Sequence, residues 1–584
     1  MKAIFSKSMA VLMLICLVFS ISACSDMFMT ETGTTPETSA SATVGTTQTA
    51  GATEEAGSTP TANVTQTATE DATPTPAPSI ETTATVKPTA TVSITNKPTA
   101  TPVVTAPPTK APTATPAPTP TLTPGPTWGG KTMIFNGSKT NVTVTADTVN
   151  ATTEFPTFSF AGQSTLKLGT AAAAQFNYYS ITYKSSQPLW MYIQYTRNGS
   201  AYEELSFLDA TEEFKTFNSY IDDFMDLAPT AVNITGFRFE NRKTSKTATL
   251  EISSISTSKK SAVSRNVYLQ NSYVKLGADL IFGGAISYLE YVKEPVAMIT
   301  KNGRAEIGIN YASQGNVRNT SVNLLNNYDT GRLVQQSYYG TYGGGGDGYE
   351  PGQFSGMTWC YNPVMGGDKG NTNSKIVDFV ATGTSIYVKC RPMDWGKVNS
   401  PTYSYMESTY TLDGRNVIVS NRFTDYSPYT HVRANQELPA LYVSEPLYRL
   451  VYCTDSTPWD HGSLDMVTGP PDWNGVWPKF KSTENWWAWI NGDDANPFGI
   501  GLYVPNVTEV TGGIHNYGGN VGNDASKAGP TSYIAPLRQM TIRVFKPIEY
   551  SYALICGTLP EIRASVYDLN DRKVIDNTSL TKYR

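Results

Sequence analysis

The segment His431-Val-Arg-Ala-Asn-Gln-Glu-Leu-Pro439 holds the densest set of side chains able to do chemistry. Successive residues of a strand point to opposite faces. In an extended reading His431, Arg433, Asn435 and Glu437 share one face, and Val432, Ala434, Gln436 and Leu438 the other. Four hydrogen-bonding side chains suit the wall of a cleft for a polyhydroxylated ligand better than a packed core, and a solvated outer face is the alternative. At ~3.3 Å per residue, Arg433 stands roughly 13 Å and His431 roughly 20 Å from Glu437. A catalytic partner for Glu437 therefore has to come from another strand.

Asp329-Thr-Gly-Arg332 reads as a turn, which places Asp329 and Arg332 at a strand end. The planar fork of Arg332 suits a sugar hydroxyl or a uronate carboxylate. Tyr338, with Gln335, Gln336 and Tyr339, adds donors and aromatic surface. A turn closed by its own ion pair is the alternative. Trp359-Cys-Tyr-Asn-Pro-Val-Met-Gly-Gly-Asp368 is rich in turn formers and puts Asp368 on a loop. Eight of the ten Trp lie within 359–489. Indole faces stack on the C–H face of a pyranose. Trp459, Trp473 and Trp477 stand beside Pro or Gly and are expected at the surface.

Other motifs carry less. Gly343-Gly-Gly-Gly-Asp-Gly348 lacks the Gly-Lys-Ser/Thr ending of a phosphate loop. With three His in all, a multi-His zinc centre is not expected. His461 and His515 have no assignable partner. No cofactor is expected beyond a structural calcium at Asp493-Asp494, where a plain turn is the stronger reading.

The elements that must position these groups are strands. From Trp128 to about Lys260, short period-two segments such as Gln175–Ser185, Leu189–Gly199 and Ala248–Thr257 are broken by Gly, Asn and Ser. They predict a β-sandwich of jelly-roll rhythm. Tyr178, Tyr179, Trp190, Tyr192 and Tyr195 form either its core or a stacking platform for sugar. One helix is expected near Glu212–Asp226. From about Ser261 to Arg584 strands continue with almost no helical periodicity. That is too much for a small sandwich and predicts a large two-sheet supersandwich. The expected class is all-β.

Leu280-Ile-Phe-Gly-Gly-Ala-Ile-Ser-Tyr-Leu-Glu-Tyr-Val292 and Asn323-Leu-Leu-Asn-Asn-Tyr-Asp-Thr-Gly-Arg-Leu-Val-Gln-Gln-Ser-Tyr-Tyr339 resemble the early part of galactose-mutarotase-like supersandwich proteins. There a Gly-Gly strand precedes a loop whose Asn and Arg touch sugar. The resemblance implies carbohydrate as ligand and leaves the reaction open, because this fold serves epimerases, hydrolases, lyases and binding domains.

Ahead of the strands stands a different kind of sequence. Lys2 and Lys7 precede an apolar run from Met9 to Ile21, and Ser22-Ala23 leads into Cys24. This is a secretory signal, and its ending resembles the bacterial lipobox, which makes Cys24 the lipidated residue. Residues 25–127 hold 16 of the 37 Pro and one aromatic, Phe28. Such a Thr/Pro-rich segment is expected to remain a disordered, stiffened tether. The formal charge is −5, from 44 basic and 49 acidic residues. Residues 25–127, with eight acids and three Lys, account for −5, and residues 1–24 for +2, leaving −2 for 128–584. This charge argues against a nucleic-acid binder, which needs a basic surface to neutralise phosphates.

Together these features predict a cell-surface, monomeric lipoprotein that meets the membrane only through its N-terminal lipid and acts on polysaccharide. Glycoside hydrolysis needs two carboxyl groups, about 5 Å apart for retention and about 6.5–9.5 Å for inversion. Glu437 is assigned as general acid, with Asp329 or Asp368 as base or nucleophile. Arg332, His431, Arg433, Asn435, Tyr338, Trp359, Trp473 and Trp477 are the expected sugar contacts. A polysaccharide lyase, with Tyr338 or His431 as base and Arg332 or Asn435 as neutraliser, is one alternative. A non-catalytic glycan-binding lipoprotein is the other. Cys360, Cys390, Cys453 and Cys556 are either bridged or free.

Overall fold

Alternating apolar residues become strands almost wherever the pattern is clean, and the described residues are all-β apart from one C-terminal helix and short 3-10 turns. The computed structural model describes residues 135–136, 142–145, 148–150, 157–168, 174–221, 231–243, 245–314, 316–341, 361–470, 477–516 and 519–583. Cys24, the 25–127 tether, Gly343–Gly348, Trp359, Cys360 and Trp473 lie outside the described residues.

The N-terminal domain is a sandwich of two six-stranded sheets. One is centred on Tyr178–Ser185 and Ala248–Ser258, the other on Leu189–Arg197 and Ala231–Asn241. Their inward residues, among them Phe158, Ile181, Ile193, Leu250 and Phe237, are fully buried. The segment expected as helix is instead the strand Thr211–Tyr220, paired antiparallel with Tyr178–Ser185. Phe217 lies between Tyr179 and Tyr405, at ring separations of 6.2 and 6.1 Å, so long-range packing overrides local helix propensity here.

The large domain stacks a ten-stranded sheet on a nine-stranded sheet. The ten-stranded sheet runs through Val274–Asp279, Ala285–Tyr291, Val334–Ser337, Arg433–Ser444, Thr531–Thr541 and Glu509–His515. Between the sheets lies one continuous core, in which Val334, Leu438, Leu441, Ile514 and Ile534 face Val388, Val419, Leu502 and Leu554. Gly283 and Gly284 turn the chain between two strands with φ of 61° and 81°. A Cβ on Gly284 would meet Val388 at 2.7 Å, so no larger residue fits this turn.

The outer face of the nine-stranded sheet is covered twice. The helix Leu559–Asp571 packs Ile562, Val566 and Leu569 on Trp486 and Ile555. Further along, the sandwich docks and shares a core in which Tyr405, Tyr426 and Val377 of the large domain join Phe207 and Trp190. Trp190 stacks on Tyr403 at 4.9 Å and donates from Nε1 to Tyr426 O at 2.9 Å. Phe207 stacks on Tyr426 at 5.0 Å, and Tyr178 donates to Asp378 at 2.7 Å. Of the expected sugar platform, Trp190 and Tyr178 are therefore engaged in joining the domains. Tyr179 and Tyr195 are buried, and Tyr192 is covered by the Arg238 guanidinium at 3.6 Å.

Candidate functional site

The outer face of the ten-stranded sheet is where the chemistry collects. Leu438, Leu441 and Val443 enter the inter-sheet core, which turns Glu437, Ala440 and Tyr442 outward. The neighbouring strands follow the same alternation. Val334 points in and Ser337 out on one side; Ile534 points in and Tyr533 and Ala535 out on the other.

Glu437 is the centre of this face. Tyr533 donates its hydroxyl proton to Glu437 Oε1 at 2.5 Å, a length typical of a hydroxyl on a carboxylate. Tyr339 and Ser337 also hydrogen-bond its carboxyl. Glu437 keeps partial access to solvent on this face while protein surrounds the carboxyl. Burial pushes its pKa above the ordinary 4.5, and the three hydroxyl donors offset only part of that rise. A carboxyl whose pKa is raised by burial is suited to give up a proton to a substrate.

Around it lies an aromatic floor. Tyr442 and Tyr533 stack at 4.5 Å, and Trp477 stands 5.3 Å from Tyr533. Both Tyr442 and Trp477 remain part-exposed. Burial raises the pKa of Tyr442; the charges of Glu437 and Asp329 raise it further and that of Arg332 lowers it. The charges of Glu437, Arg332 and Asp329 thus all act on one tyrosine.

Asp329 closes its own turn, accepting from Gly331 N at 3.0 Å and Arg332 N at 2.9 Å. Its other oxygen faces Arg332 Nε at 3.8 Å. Arg332 is nearly buried, donates to Gly529 O at 3.2 Å and packs on Tyr328 at 5.0 Å. Gly331 lets the Trp395 ring lie against this turn, since a Cβ would approach Trp395 to 2.4 Å.

Other expected site residues are placed elsewhere. Asp368 is fully buried, and its two oxygens accept from Thr372 N at 2.9 Å and Asn399 N at 2.7 Å. It closes a turn and presents no carboxylate to a ligand. Tyr338 points into the core, stacks on Phe423 at 4.0 Å and donates to Gln336. His431 precedes its strand and is buried. Its Nδ1 accepts from Thr341 N at 3.0 Å, and its Nε2 lies 3.1 Å from Asp425 and 3.2 Å from Ser427. With Nδ1 accepting, the ring proton sits on Nε2 and bonds Asp425. His431 thereby pins Thr341, and Asp425 also holds the Tyr361 hydroxyl at 2.9 Å. Neither Tyr338 nor His431 has Glu437 among its partners. Arg433 is exposed and Asn435 half-exposed on the same strand as Glu437. Asp493 accepts from Ala495 N and Asn496 N, and Asp494 meets Arg449. Among the described residues no group of three or more His, Cys, Asp or Glu is arranged to hold a metal.

Ser337, Tyr442 and Tyr533 are site residues that sequence reasoning missed, while Tyr339 was named as a donor beside Arg332 without being linked to Glu437. Ser337 carried a signal, since Gln335, Ser337 and Tyr339 alternate out of phase with Tyr338. Tyr533 carried none, because only the sheet register brings it to Glu437.

No family model matches the chain, and no curated protein matches it. Solved structures resemble it at low identity. A galactose mutarotase-like protein from Lactobacillus casei ATCC 334 is 10% identical, with a TM-score of 0.30, over 50% of this chain and 99% of its own. A galactose mutarotase related enzyme from Lactobacillus acidophilus is 11% identical, TM-score 0.29, over 50% of this chain and 97% of its own. An alpha-galactosidase from Lactobacillus brevis is 11% identical, TM-score 0.26, over 52% of this chain and 41% of its own. The resemblance read from Gly283-Gly284 and the Asp329–Arg332 loop names the same group of proteins as the first two.

Proposed function

We propose that the large domain is a carbohydrate-active enzyme that cleaves a glycosidic bond, with Glu437 as its proton donor. The observation that carries this is the state of Glu437: part-accessible, enclosed, with its pKa raised, and wired to Tyr533, Tyr339 and Ser337 beside an aromatic floor. Stacking rings next to a carboxyl of raised pKa match what a saccharide needs, a hydrophobic platform for its C–H face and an acid for its leaving oxygen. Asp329 is the second carboxylate of this reading, and Arg332 the hydroxyl-binding fork beside it. Asp368, enclosed by backbone amides, has no part in it. The signal segment ending in Cys24 and the Thr/Pro tether would present this enzyme at a bacterial cell surface.

The test is release of reducing ends from a panel of neutral polysaccharides by the intact protein and by Glu437→Gln. The variant is expected to bind as before and to lose about 10²–10⁴-fold in rate. Unchanged turnover by the variant overturns the assignment.

A further inference from the structure

The outward face continues well past Glu437. On the strand Glu509–His515, Val510 and Ile514 enter the inter-sheet core, so Thr511, Gly513 and His515 face outward. Gly513 pairs with Tyr533 and His515 with Thr531, and paired residues of antiparallel strands share a face. Trp477 lies directly over Gly513: a Cβ there would come within 3.0 Å of the indole and 2.9 Å of Pro470 O. The missing side chain is what seats the ring on the sheet. His515, two residues on, is part-exposed at the end of its strand.

These positions have an order and a length. Glu437 pairs with Leu537 and His515 with Thr531 on the shared strand Thr531–Thr541. That separation of six residues is roughly 20 Å at ~3.3 Å per residue. Tyr442, Tyr533 and Trp477 lie between the two ends. A single sugar ring at Glu437 would leave His515, six strand residues away, out of reach. A chain of several units would stack on the middle rings and offer hydroxyls to the imidazole at the far end.

We infer that this site takes an oligosaccharide chain, not a single sugar, laid along the strands from Glu437 over Tyr442 and Trp477 to His515. The inference rests on the carbohydrate reading above and adds the length and direction of the ligand. His515 stands too far from Glu437 to share a reacting bond, so it is a distal contact and not a catalytic residue.

The experiment is a glycan array carrying mono- to hexasaccharides, followed by calorimetry of the intact protein on the best-bound series. Affinity is expected to climb over several added units before levelling. In Trp477→Ala and His515→Ala the ratio of hexasaccharide to disaccharide affinity should fall, by about tenfold for the indole. Wild-type protein that binds a single ring as tightly as the hexasaccharide overturns this inference and leaves the carbohydrate reading standing. The same holds for variants that weaken short and long fragments equally. Binding to no saccharide of any length overturns both. The length dependence of the wild type needs no variant to fold.

Discussion

Tyr533 and Glu437 sit on adjacent antiparallel strands, yet their side chains meet diagonally, hydroxyl to Oε1 at 2.5 Å, because Glu437 pairs with Leu537 and Tyr442 with Tyr533. The irregular register between Glu437 and Leu441 sets this offset. The bond stabilises the carboxylate against burial and so lowers a pKa that burial raises. Tyr533→Phe removes that donor and leaves the enclosure. The pKa of Glu437 should climb further, by about one to two pH units. If Glu437 acts as an acid, the alkaline limb of the pH–rate profile moves up by that amount. A limb that stays in place would show that Glu437 does not set it.

Proton linkage gives a second prediction that needs no substrate. The folded-state pKa of Glu437 lies above its ordinary 4.5. The folded protein therefore holds this proton more tightly than the unfolded chain does. Its contribution to stability is full below the unfolded pKa and is lost as pH rises through the folded one. Glu437→Gln has no proton to lose. Its melting temperature relative to wild type should rise from about pH 4 to about pH 8. A difference that stays flat across this range would mean that Glu437 ionises as freely as in the unfolded chain.

How far the sequence made this site legible depends on which distances were local. Alternation put Glu437 on the outward face because its neighbours Leu438 and Gln436 point inward. The same alternation placed His431 beside it, but the strand begins at Arg433, and His431 turns back to pin Thr341. The Trp-rich stretch was ambiguous for a physical reason. Trp486 packs under the C-terminal helix while Trp487 and Trp489 fill the inter-sheet core, so a strand covered on both faces shows no alternation. The helix Leu559–Asp571 went unread although Thr558 and Glu561 form a capping box ahead of it. Tyr533 and Tyr405 exert their effects across long stretches of chain, which no local window contains.

Asp394 offers a stability test away from Glu437. It is nearly fully buried, Oδ2 has no hydrogen-bond partner, and burial pushes its pKa from 3.8 to about 7. The raised value means that its stability contribution is complete below pH 3.8 and is lost as pH rises through about 7. Asp394→Asn should be near neutral at about pH 4 and stabilising above about pH 8, by at most about 4 kcal/mol at 1.36 kcal/mol per pH unit. Urea denaturation at the two pH values checks it. Equal effects at both would show that Asp394 stays ionised when folded.

The thiols make a third kind of prediction. Cys390, Cys453 and Cys556 are free and buried, and burial pushes the thiols of all three up. A thiol that is neither exposed nor ionised does not react. Alkylation mapped by mass spectrometry should find these three unmodified in the native protein and fully modified in denaturant. A native adduct on any of them, or a disulfide joining two, contradicts the packing.

The interface between the two β-domains predicts cooperative unfolding. Trp190 is held between the Arg242 guanidinium at 4.0 Å and the Tyr403 ring at 4.9 Å, and its Nε1 proton goes to a carbonyl of the large domain. The core it belongs to contains Tyr405 and Tyr426 from the nine-stranded sheet, and Tyr426 in turn bonds Asp209 of the sandwich. Neither domain can open here without exposing apolar surface of the other. Trp190→Ala should cost about 3–5 kcal/mol. The loss should appear as one calorimetric transition moving down, because the shared core couples the two domains. Two separate transitions, with only the sandwich destabilised, would make the sandwich an independent module and the aromatic contacts between the domains weak.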